Sequence, residues 1–377
     1  MTKEEIIKMK ISRVEKEIRD TPYDKSSEHH HGVLKAKLSK FKDELEGNSS
    51  RGGSSGGVGY AIKHSGDASV VLVGLPSVGK STLLNAVTNA ESKVGNYDFT
   101  TLGVVPGMME YKGVRMQMLD LPGIIEGAAS GKGFGRKVLS VVRASNLVVL
   151  MTDYQRSEWL AKIKKELEDS GIRLNKRPPK IHVHRMEKGA IQIIDPFRSL
   201  PEETMVGIAK EMGVDNAVIQ LGEKIETVDQ FIDGLSKTRT YIPLVEVVTK
   251  IDTMKNPSKS PLDPPAGEAS KGDLSKNVVL MSAEKGIGID EFKEALWQGL
   301  GLIRVYLKKE RVNEADKKEP LIMKKTNTLN DVLKRISNEM RDDVSRACIW
   351  GKNARFPGQE VSFKFPVFDE MEVWFGR

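Results

Sequence analysis

The chain has 377 residues, a formal net charge of +7 and a single cysteine, Cys348. This length allows two or three domains, the mild basic excess fits an anionic partner without identifying it, and the lone cysteine excludes a disulfide framework. No apolar run approaches the length of a membrane span and the N-terminus lacks the apolar region of a signal peptide, so we expect a cytoplasmic protein without a membrane partner.

Residues 1–46 predict a helical hairpin. Two runs of apolar residues recur at the helical spacing of three to four, and the turn-forming segment 21–24 separates them. The runs are Ile7, Ile11, Val14 and Ile18, followed by Leu34, Leu38, Phe41 and Leu45. The histidines at 29–31 are interpreted as solvated residues near the start of the second helix rather than as metal ligands. Residues 47–66 are rich in glycine and serine, which predicts a flexible tether.

A phosphate-binding loop follows the tether. Residues 74–82 read Gly-Leu-Pro-Ser-Val-Gly-Lys-Ser-Thr, a complete G-x-x-x-x-G-K-[ST] motif. The apolar run 70–73 before the motif predicts a strand, and residues 83–87 after it predict a helix, which is the context that the motif requires. This context argues against a glycine-rich turn without a ligand. The segment therefore predicts a nucleoside triphosphate site.

The loop residues have separate predicted roles. Backbone N–H groups close around the phosphate oxygens, Lys80 reaches the β- and γ-phosphates as a catalytic charge, and the Ser81 hydroxyl coordinates Mg²⁺. The predicted nucleotide-binding residues of this segment are Gly74, Ser77, Val78, Gly79, Lys80, Ser81 and Thr82.

Two downstream segments complete the predicted phosphate site. The interval 96–102 contains two adjacent threonines, and we favour Thr101 as a catalytic residue and Mg²⁺ ligand over an ordinary loop threonine. The apolar strand 116–119 leads into Asp120-Leu-Pro-Gly123. The Asp120 carboxylate can hold Mg²⁺ through water, and Gly123, which has no side chain to block the approach, can bring its N–H to the γ-phosphate as part of the catalytic set.

The segment 249–252 predicts which base is bound. It reads Thr-Lys-Ile-Asp and follows the apolar strand 244–248. The Asp252 carboxylate can accept hydrogen bonds from both the amino and the imino group of guanine, a pair of donors that adenine does not offer. The aliphatic part of the Lys250 side chain would cover the base.

A third strand end adds a contact to the base. Strand 278–281 ends at Ser282 and Ala283, where a backbone N–H could bind the guanine carbonyl. The predicted base-binding residues are thus Thr249, Lys250, Asp252, Ser282 and Ala283. Strand ends that carry these motifs in this order predict binding of GTP and GDP.

One absence bears on the rate of hydrolysis. Ile124 and Ile125 follow the D-x-x-G segment, where many GTPases carry a glutamine that orients the attacking water. An apolar side chain cannot orient water. We therefore expect slow intrinsic hydrolysis that needs a partner, an ion or a displaced side chain to reach its full rate.

The spacing of the motifs reveals an insertion. Asp120 and Thr249 are 129 positions apart (249 − 120), about twice what two strand–helix crossovers of roughly 30 residues each require. The excess, roughly residues 170–240, predicts a small α/β subdomain. It comprises a hairpin of strands 181–186 and 190–194, a helix at 201–212 and a strand at 217–221. His182 and His184 would share one strand face and are interpreted as surface histidines.

The C-terminal region predicts a mobile loop and a separate domain. Residues 253–276 are rich in proline, serine, lysine and glycine, which is typical of a mobile loop. Beyond Gly301 the pattern predicts a small mixed sheet with one helix. Its strands are expected at 321–323, 347–350, 361–365 and 371–375, and its helix at 328–340. The lysines and arginines of this region fit either RNA contact or an ordinary solvated surface.

These segments resemble the Obg superfamily of GTPases, and closely the DRG family (developmentally regulated GTP-binding proteins). The agreement runs along nearly the whole chain and extends beyond the nucleotide motifs. It is carried by GLPSVGKST at 74–82, FTTL at 99–102, DLPGIIEGA at 120–128, GKGFGR at 131–136, GIRLNKRPP at 171–179, HHHGVLKAKL at 29–38 and IWG at 349–351.

The resemblance implies an α/β architecture around a Ras-like P-loop GTPase domain at 67–300. That domain would be interrupted by the 170–240 insertion, which would be similar to a domain of a small-subunit ribosomal protein. The N-terminal helical hairpin would precede it, and a TGS domain with a β-grasp fold would follow at 301–377. The resemblance also implies Mg²⁺-dependent GTP hydrolysis to GDP and phosphate, and association with ribosomes or RNA during translation rather than with DNA.

One residue and one loop depart from the pattern of the family, since the 253–276 loop is longer than the family needs. Thr249 replaces the usual asparagine of the base-binding motif. Ser77 stands where the best-known potassium-dependent members of the superfamily carry asparagine, so the potassium stimulation that the resemblance implies is a separate expectation.

Two further functions compete with a GTP-hydrolysing translation factor. In the first, GTP only orders a docking surface for the ribosome and turnover is incidental, which Ile124 favours. In the second, the chain is an ATPase of the related TGS-bearing branch, against which Asp252 argues because that branch lacks the guanine-binding carboxylate. A small-molecule kinase is weaker still, because no segment resembles a site for an acceptor substrate.

Overall fold

The computed structural model describes residues 2–22, 24, 27–50, 66–88, 105–121, 135–253, 278–308, 317, 320–336 and 344–376. At 46–50, 136 and 137 only the backbone is described. Most of the predicted tether, the candidates Thr101 and Gly123, Ile124, and all but the first residue of the predicted 253–276 loop lie outside these ranges.

The described residues form both helices and strands. The helices are α1 (Lys3–Asp20), α2 (Glu28–Ser50), α3 (Lys80–Val87), α4 (Arg136–Ala144), α5 (Glu158–Asp169), α6 (Glu202–Glu211), α7 (Val228–Leu235), α8 (Ile289–Leu300) and α9 (Leu329–Ile336). The strands are β1 (Ala68–Gly74), β2 (Val105–Tyr111), β3 (Val114–Asp120), β4 (Leu147–Asp153), β5 (Ile172–Leu174), β6 (Ile181–Arg185), β7 (Ile191–Ile194), β8 (Ala217–Leu221), β9 (Thr240–Ile242), β10 (Leu244–Thr249), β11 (Val278–Leu280), β12 (Leu302–Leu307), β13 (Leu321–Lys324), β14 (Arg346–Trp350), β15 (Gln359–Glu360) and β16 (Met371–Gly376). Among the helices that the structure describes, none has the length and apolar character needed to cross a membrane.

The largest described sheet has six strands in the order β11-β10-β4-β1-β3-β2. Its strands are parallel except for β2, which pairs with β3 in antiparallel fashion. Every residue of β1, β4 and β10 is buried, as expected of parallel strands covered on both faces. The chain places β3 on one side of β1 and β4 on the other. This is the switch point where α/β sheets bind ligands, and the predicted α/β fold class is confirmed.

The chain divides into two compact units. One contains Met1–Ala61 and Glu166–Ile242, and the other contains Ile62–Lys165 and Pro243–Arg377. The six-stranded sheet lies in the second unit. The first unit combines the N-terminal hairpin with the insertion, although these two segments are far apart in sequence.

The insertion contains a three-stranded sheet in the order β6-β8-β7. The predicted hairpin of β6 with β7 is therefore wrong, because β8 pairs with β6 in antiparallel fashion and with β7 in parallel fashion. Ala217, Ile219 and Leu221 of β8 are at most 2% exposed, so the most apolar strand takes the central position. The predicted surface position of His182 and His184 is confirmed, since both are exposed.

The hairpin packs against the insertion through α2. Ala36 of α2 is fully buried in the same core cluster as Ile208 of α6 and Phe231 of α7. Glycines allow the close approach of α2 to α6, because a Cβ on Gly207 would lie only 2.7 Å from the His29 ring. The hairpin therefore shares a hydrophobic core with the insertion.

A buried arginine reinforces this packing. The Arg239 side chain, 8% exposed, forms ion pairs with Asp43 of α2 at 3.0 Å and with Asp233 of α7 at 2.9 Å. Its guanidinium also donates to the Ser39 hydroxyl. Breaking a buried ion pair leaves an uncompensated charge, so these contacts hold α2 on the insertion.

Two details of the hairpin differ from the sequence predictions. His31 is 6% exposed and its ring lies 3.1 Å from the Thr21 carbonyl oxygen, so it is not solvated and instead links the two helices. Helix α2 continues to Ser50, past the predicted start of the tether at 47, because extending an existing helix costs far less than starting one.

The C-terminal region forms a five-stranded sheet in the order β13-β12-β16-β14-β15, with α9 packed into its core. The strand predicted at 361–365 is absent from the described structure. The carbonyls of Phe363 and Phe365 instead accept hydrogen bonds from the N–H groups of Asn330 and Leu329 at the start of α9. This segment bends because it satisfies donors at a helix N-terminus.

Candidate functional site

The phosphate loop joins the end of β1 to the start of α3, as the motif predicted. Gly74 ends β1 where a Cβ would overlap the carbonyl oxygen of Met151 in β4. Gly79 has φ +92°, which glycine adopts without strain. Both glycines are therefore required by geometry, and α3 begins at Lys80 with its N-terminus at the loop.

Lys80 lies inside the loop. It is 7% exposed, and its Nζ donates to the carbonyls of Gly74 and Leu75 at 2.9 Å each. Burial lowers the pKa of this ammonium below its ordinary value, and the nearby Asp120 carboxylate opposes that shift. No carboxylate of the described residues is in direct contact with this buried cation, which is therefore suited to an anionic ligand.

The predicted metal ligands Ser81 and Asp120 are brought together. The Ser81 hydroxyl donates to Asp120 Oδ2 at 2.7 Å. Asp120 is 1% exposed, and its Oδ1 is buried without a hydrogen-bond partner among the described residues. Such an orphaned oxygen beside a hydroxyl fits Mg²⁺, which prefers a small number of oxygen ligands from protein. The third candidate, Thr101, lies outside the described residues.

The base-binding motif at the end of β10 contacts the phosphate loop. The Thr249 hydroxyl lies 2.6 Å from the Val78 carbonyl oxygen and 3.1 Å from that of Thr152. Lys250 donates from Nζ to the Ser77 carbonyl at 2.7 Å. The segment that was predicted to select the base therefore also fixes the backbone of the loop.

The remaining base-binding candidates lie at the same edge of the sheet. Asp252 is exposed in the short helical turn Ile251–Thr253, so its carboxylate is accessible to a ligand. The N–H of Ser282 donates to the Ile287 carbonyl at 3.0 Å and cannot serve the base in this arrangement. Ala283, the next residue, is therefore the better candidate donor.

Arg156 was not predicted from the sequence. It ends the helical turn after β4, and its Nη2 lies 3.4 Å from the Pro76 carbonyl oxygen of the phosphate loop. Its guanidinium also pairs with Asp153 at 2.6 Å. The spacing of an acidic and a basic residue three positions apart at a strand end was the signal, but it belongs to no recognised nucleotide motif.

Known families match most of the chain. A family model described as a 50S ribosome-binding GTPase matches residues 69–185, and a model for the C-terminal region of that domain matches residues 188–302.

Three relatives extend the match to almost the full length. An uncharacterized GTP-binding protein of Methanocaldococcus jannaschii is 42% identical over 365 residues, covering 96% of this chain and 91% of the relative. Developmentally-regulated GTP-binding protein 2 of Homo sapiens is 38% identical over 355 residues, covering 93% and 94%. Developmentally-regulated G-protein 3 of Arabidopsis thaliana is 37% identical over 369 residues, covering 97% of each chain.

Proposed function

Because the chain belongs to the DRG family of GTP-binding proteins, we propose that it hydrolyses GTP to GDP and phosphate at the carboxyl edge of the six-stranded sheet. The observation that carries this proposal is the joint placement of the buried Lys80, the Ser81–Asp120 pair and the accessible Asp252 at the ends of β1, β3 and β10. Membership of a GTP-binding family also argues against the ATPase alternative.

The chain's own residues would stabilise charge during the reaction. Phosphoryl transfer places negative charge on the oxygens of the γ-phosphate, so catalysis depends on positioning and on fixed positive groups. Lys80 supplies such a charge from a buried position, and the loop N–H groups with the N-terminus of α3 supply further donors.

Mg²⁺ is the metal that these residues fit. Ser81 would bind it directly and Asp120 through water, with Thr101 as the further ligand. When bound, Mg²⁺ neutralises charge that develops on the β- and γ-phosphates. Asp120 also holds the Ser81 hydroxyl in place through the 2.7 Å hydrogen bond.

The intrinsic rate should be low. The side chain of Ile124 is apolar and cannot orient the attacking water. We therefore expect turnover on the order of 10⁻⁴–10⁻² s⁻¹, as in unassisted GTPases. A partner or potassium would raise it. Measuring turnover in potassium and in sodium buffer separates the ion from the partner.

The proposed partner is the ribosome or its RNA, in the cytoplasm. Support comes from the description of the matching family model as ribosome-binding, from the net charge of +7 and from the resemblance to translation-linked GTPases, whose TGS domain the five-stranded C-terminal sheet would form. The alternative, a nucleotide-gated binding module with incidental turnover, is favoured by Ile124. A rise in GTP turnover of at least tenfold on adding ribosomes supports a GTP-hydrolysing translation factor. An unchanged turnover rate supports a nucleotide-gated binding module.

The test of hydrolysis compares wild type with Lys80→Ala. Phosphate release from GTP with Mg²⁺ should be measurable for wild type and lost for Lys80→Ala, because the buried charge is removed. The control is Lys162→Ala, which removes an exposed lysine from α5 and should keep the wild-type rate. Equal phosphate release from wild type and Lys80→Ala would show that this loop is not the site.

A further inference from the structure

Ser77, in the middle of the phosphate loop, has a left-handed backbone conformation. Its φ is +62°, a value that residues other than glycine rarely adopt. Side-chain cations fix the peptide groups on both sides of it. Arg156 Nη2 lies 3.4 Å from the Pro76 carbonyl oxygen, and Lys250 Nζ donates to the Ser77 carbonyl at 2.7 Å.

The peptide between Pro76 and Ser77 links these contacts to ligand binding. In a trans peptide the carbonyl and the N–H point in opposite directions. Because the Pro76 carbonyl faces Arg156, the Ser77 N–H faces away from Arg156. The chain has no cis peptide bond within its described part. A contact on one side of this peptide thus aims a donor on the other side.

Arg156 is itself rigidly held. Its Nε and Nη2 donate to Asp153 Oδ2 at 3.1 and 2.6 Å, and its own N–H donates to Asp153 Oδ1 at 3.1 Å. The Thr152 hydroxyl donates to the Arg156 carbonyl at 2.8 Å. Burial raises the pKa of the Asp153 carboxyl, but the hydrogen bonds and the charge of Arg156, together with the charge of Lys250, leave that pKa below its ordinary value. The pair is therefore ionised at neutral pH.

We propose that Arg156 is a positioning residue for guanine nucleotide binding, which orients the Ser77 N–H toward the bound phosphates by holding the Pro76 carbonyl. This role rests on the proposed function. It does not require Arg156 to touch the nucleotide. GDP and GTP share the phosphates nearest the loop, so the binding affinity for each nucleotide should depend on Arg156.

The first experiment measures the affinity of fluorescent GDP and of a non-hydrolysable GTP analogue. Arg156→Ala should bind both about tenfold more weakly than wild type. Arg156→Lys keeps a positive charge but loses the two-pronged pairing with Asp153, so its affinity should fall by about threefold. The matched control is Arg346→Ala, which removes an exposed arginine from β14 and should bind like wild type.

The second experiment separates positioning from simple charge attraction. Glycine adopts a positive φ without strain, so in a Ser77→Gly background the loop depends less on its supports. In that background, adding Arg156→Ala should lower the nucleotide affinity by less than threefold relative to Ser77→Gly alone. An equal tenfold loss in both backgrounds would mean that Arg156 acts through its charge, and the proposal would be rejected.

Thermal melting of the nucleotide-free protein completes the test. A lower melting temperature with nucleotide affinity within twofold of wild type would mean that Arg156 only stabilises the turn after β4, which also rejects the proposal. If Arg156→Ala does not fold, Arg156→Lys in the two backgrounds decides. Wild-type protein that binds no guanine nucleotide would reject the proposed function itself, whereas normal wild-type binding with an unaffected variant rejects only this inference.

Discussion

Thr249 shows how a residue that departs from a family pattern can keep a structural role. It is 3% exposed, and its hydroxyl lies between the carbonyls of Val78 and Thr152. The end of β10, where the sequence predicts base binding, is thereby attached to the phosphate loop. The sequence showed the departure from asparagine but gave no indication of this contact, because it joins residues 171 positions apart.

We expect Thr249→Val to weaken both the fold and nucleotide binding. Valine has the same shape but lacks the hydroxyl that donates to the Val78 carbonyl, at a cost of about 1–3 kcal/mol. Thr249→Ser keeps the hydroxyl and should stay close to wild type. Urea unfolding and GDP titration measure the two effects. A Thr249→Val protein that matches Thr249→Ser in both would show that the hydroxyl contributes nothing.

Asp252 is expected to select the base. Asp252→Asn replaces a carboxylate acceptor by an amide, so guanine loses charge-assisted hydrogen bonds worth roughly 1.5–3 kcal/mol each. The variant should bind GTP more weakly and gain affinity for xanthosine triphosphate. Calorimetry with GTP, ATP and xanthosine triphosphate measures this. Wild type with equal affinity for ATP and GTP would contradict the assignment.

At the residue scale, motifs predicted the positions of Lys80, Ser81 and Asp120 because their spacing reflects local chain geometry. Arg156 was missed because its function depends on Pro76, 80 positions earlier. The role proposed for Ser282 was too broad, since its N–H is engaged with Ile287 in a turn that the sequence does not reveal. Contacts between distant segments are the part that pattern reasoning could not supply.

At the element scale, the positions of strands along the chain were easier to predict than the pairing between strands. The runs that form β6, β7 and β8 were placed correctly, but β6 and β7 were assigned to each other because a short glycine-containing turn usually joins paired strands. The observed order instead buries the most apolar of the three strands, β8, between the other two. A run of alternating apolar residues likewise suggested a strand at 361–365, where the backbone instead completes the start of α9.

The close packing of α2 against α6 predicts an effect of a small substitution. In Gly207→Ala the new Cβ would lie 2.7 Å from the His29 ring and 3.1 Å from Val33. Overpacking costs about 1–3 kcal/mol, whereas alanine improves helix propensity by about 1 kcal/mol. We therefore expect a net loss of stability of about 1 kcal/mol in urea unfolding.

Two variants control that measurement. Glu203→Ala changes an exposed residue on the same helix and should stay within about 0.5 kcal/mol of wild type. His29→Ala combined with Gly207→Ala removes the overlap, so the pair should be more stable than the sum of the single changes. A Gly207→Ala protein more stable than wild type would mean that helix propensity outweighs the contact.

At the scale of the whole molecule, the shared core of the hairpin and the insertion changes how ribosome binding should be tested. Deleting residues 1–46 would remove Ala36 from the core cluster that also contains Ile208 and Phe231. The deletion would therefore damage the unit as well as remove the hairpin. Substitutions at exposed residues avoid this problem.

We expect Lys324→Glu with Lys325→Glu, both exposed at the end of β13, to reduce co-sedimentation with ribosomes at unchanged GTP affinity. Phosphate contacts make binding decline steeply with salt, and a GTP analogue should favour binding over GDP. The control is Lys162→Glu with Lys165→Glu on α5, which makes the same change in net charge. Co-sedimentation that stays the same at all salt concentrations, with either nucleotide and in the Lys324–Lys325 variant would contradict a ribosomal role for the surface around these two lysines.

The discontinuous make-up of the first unit has a consequence for biosynthesis. Helix α2 ends at Ser50 and its packing partner α6 ends at Glu211, 161 positions later (211 − 50). Chains grow at about 5–20 residues per second. Roughly 8–30 s therefore pass between the synthesis of α2 and that of α6, which covers the apolar side of the hairpin. During that interval the phosphate loop and four strands of the six-stranded sheet, β1 to β4, are made. The hairpin is thus synthesised well before the helix that completes its packing, and a nascent chain halted before α6 would present an uncovered helical hairpin to whatever binds exposed apolar surface.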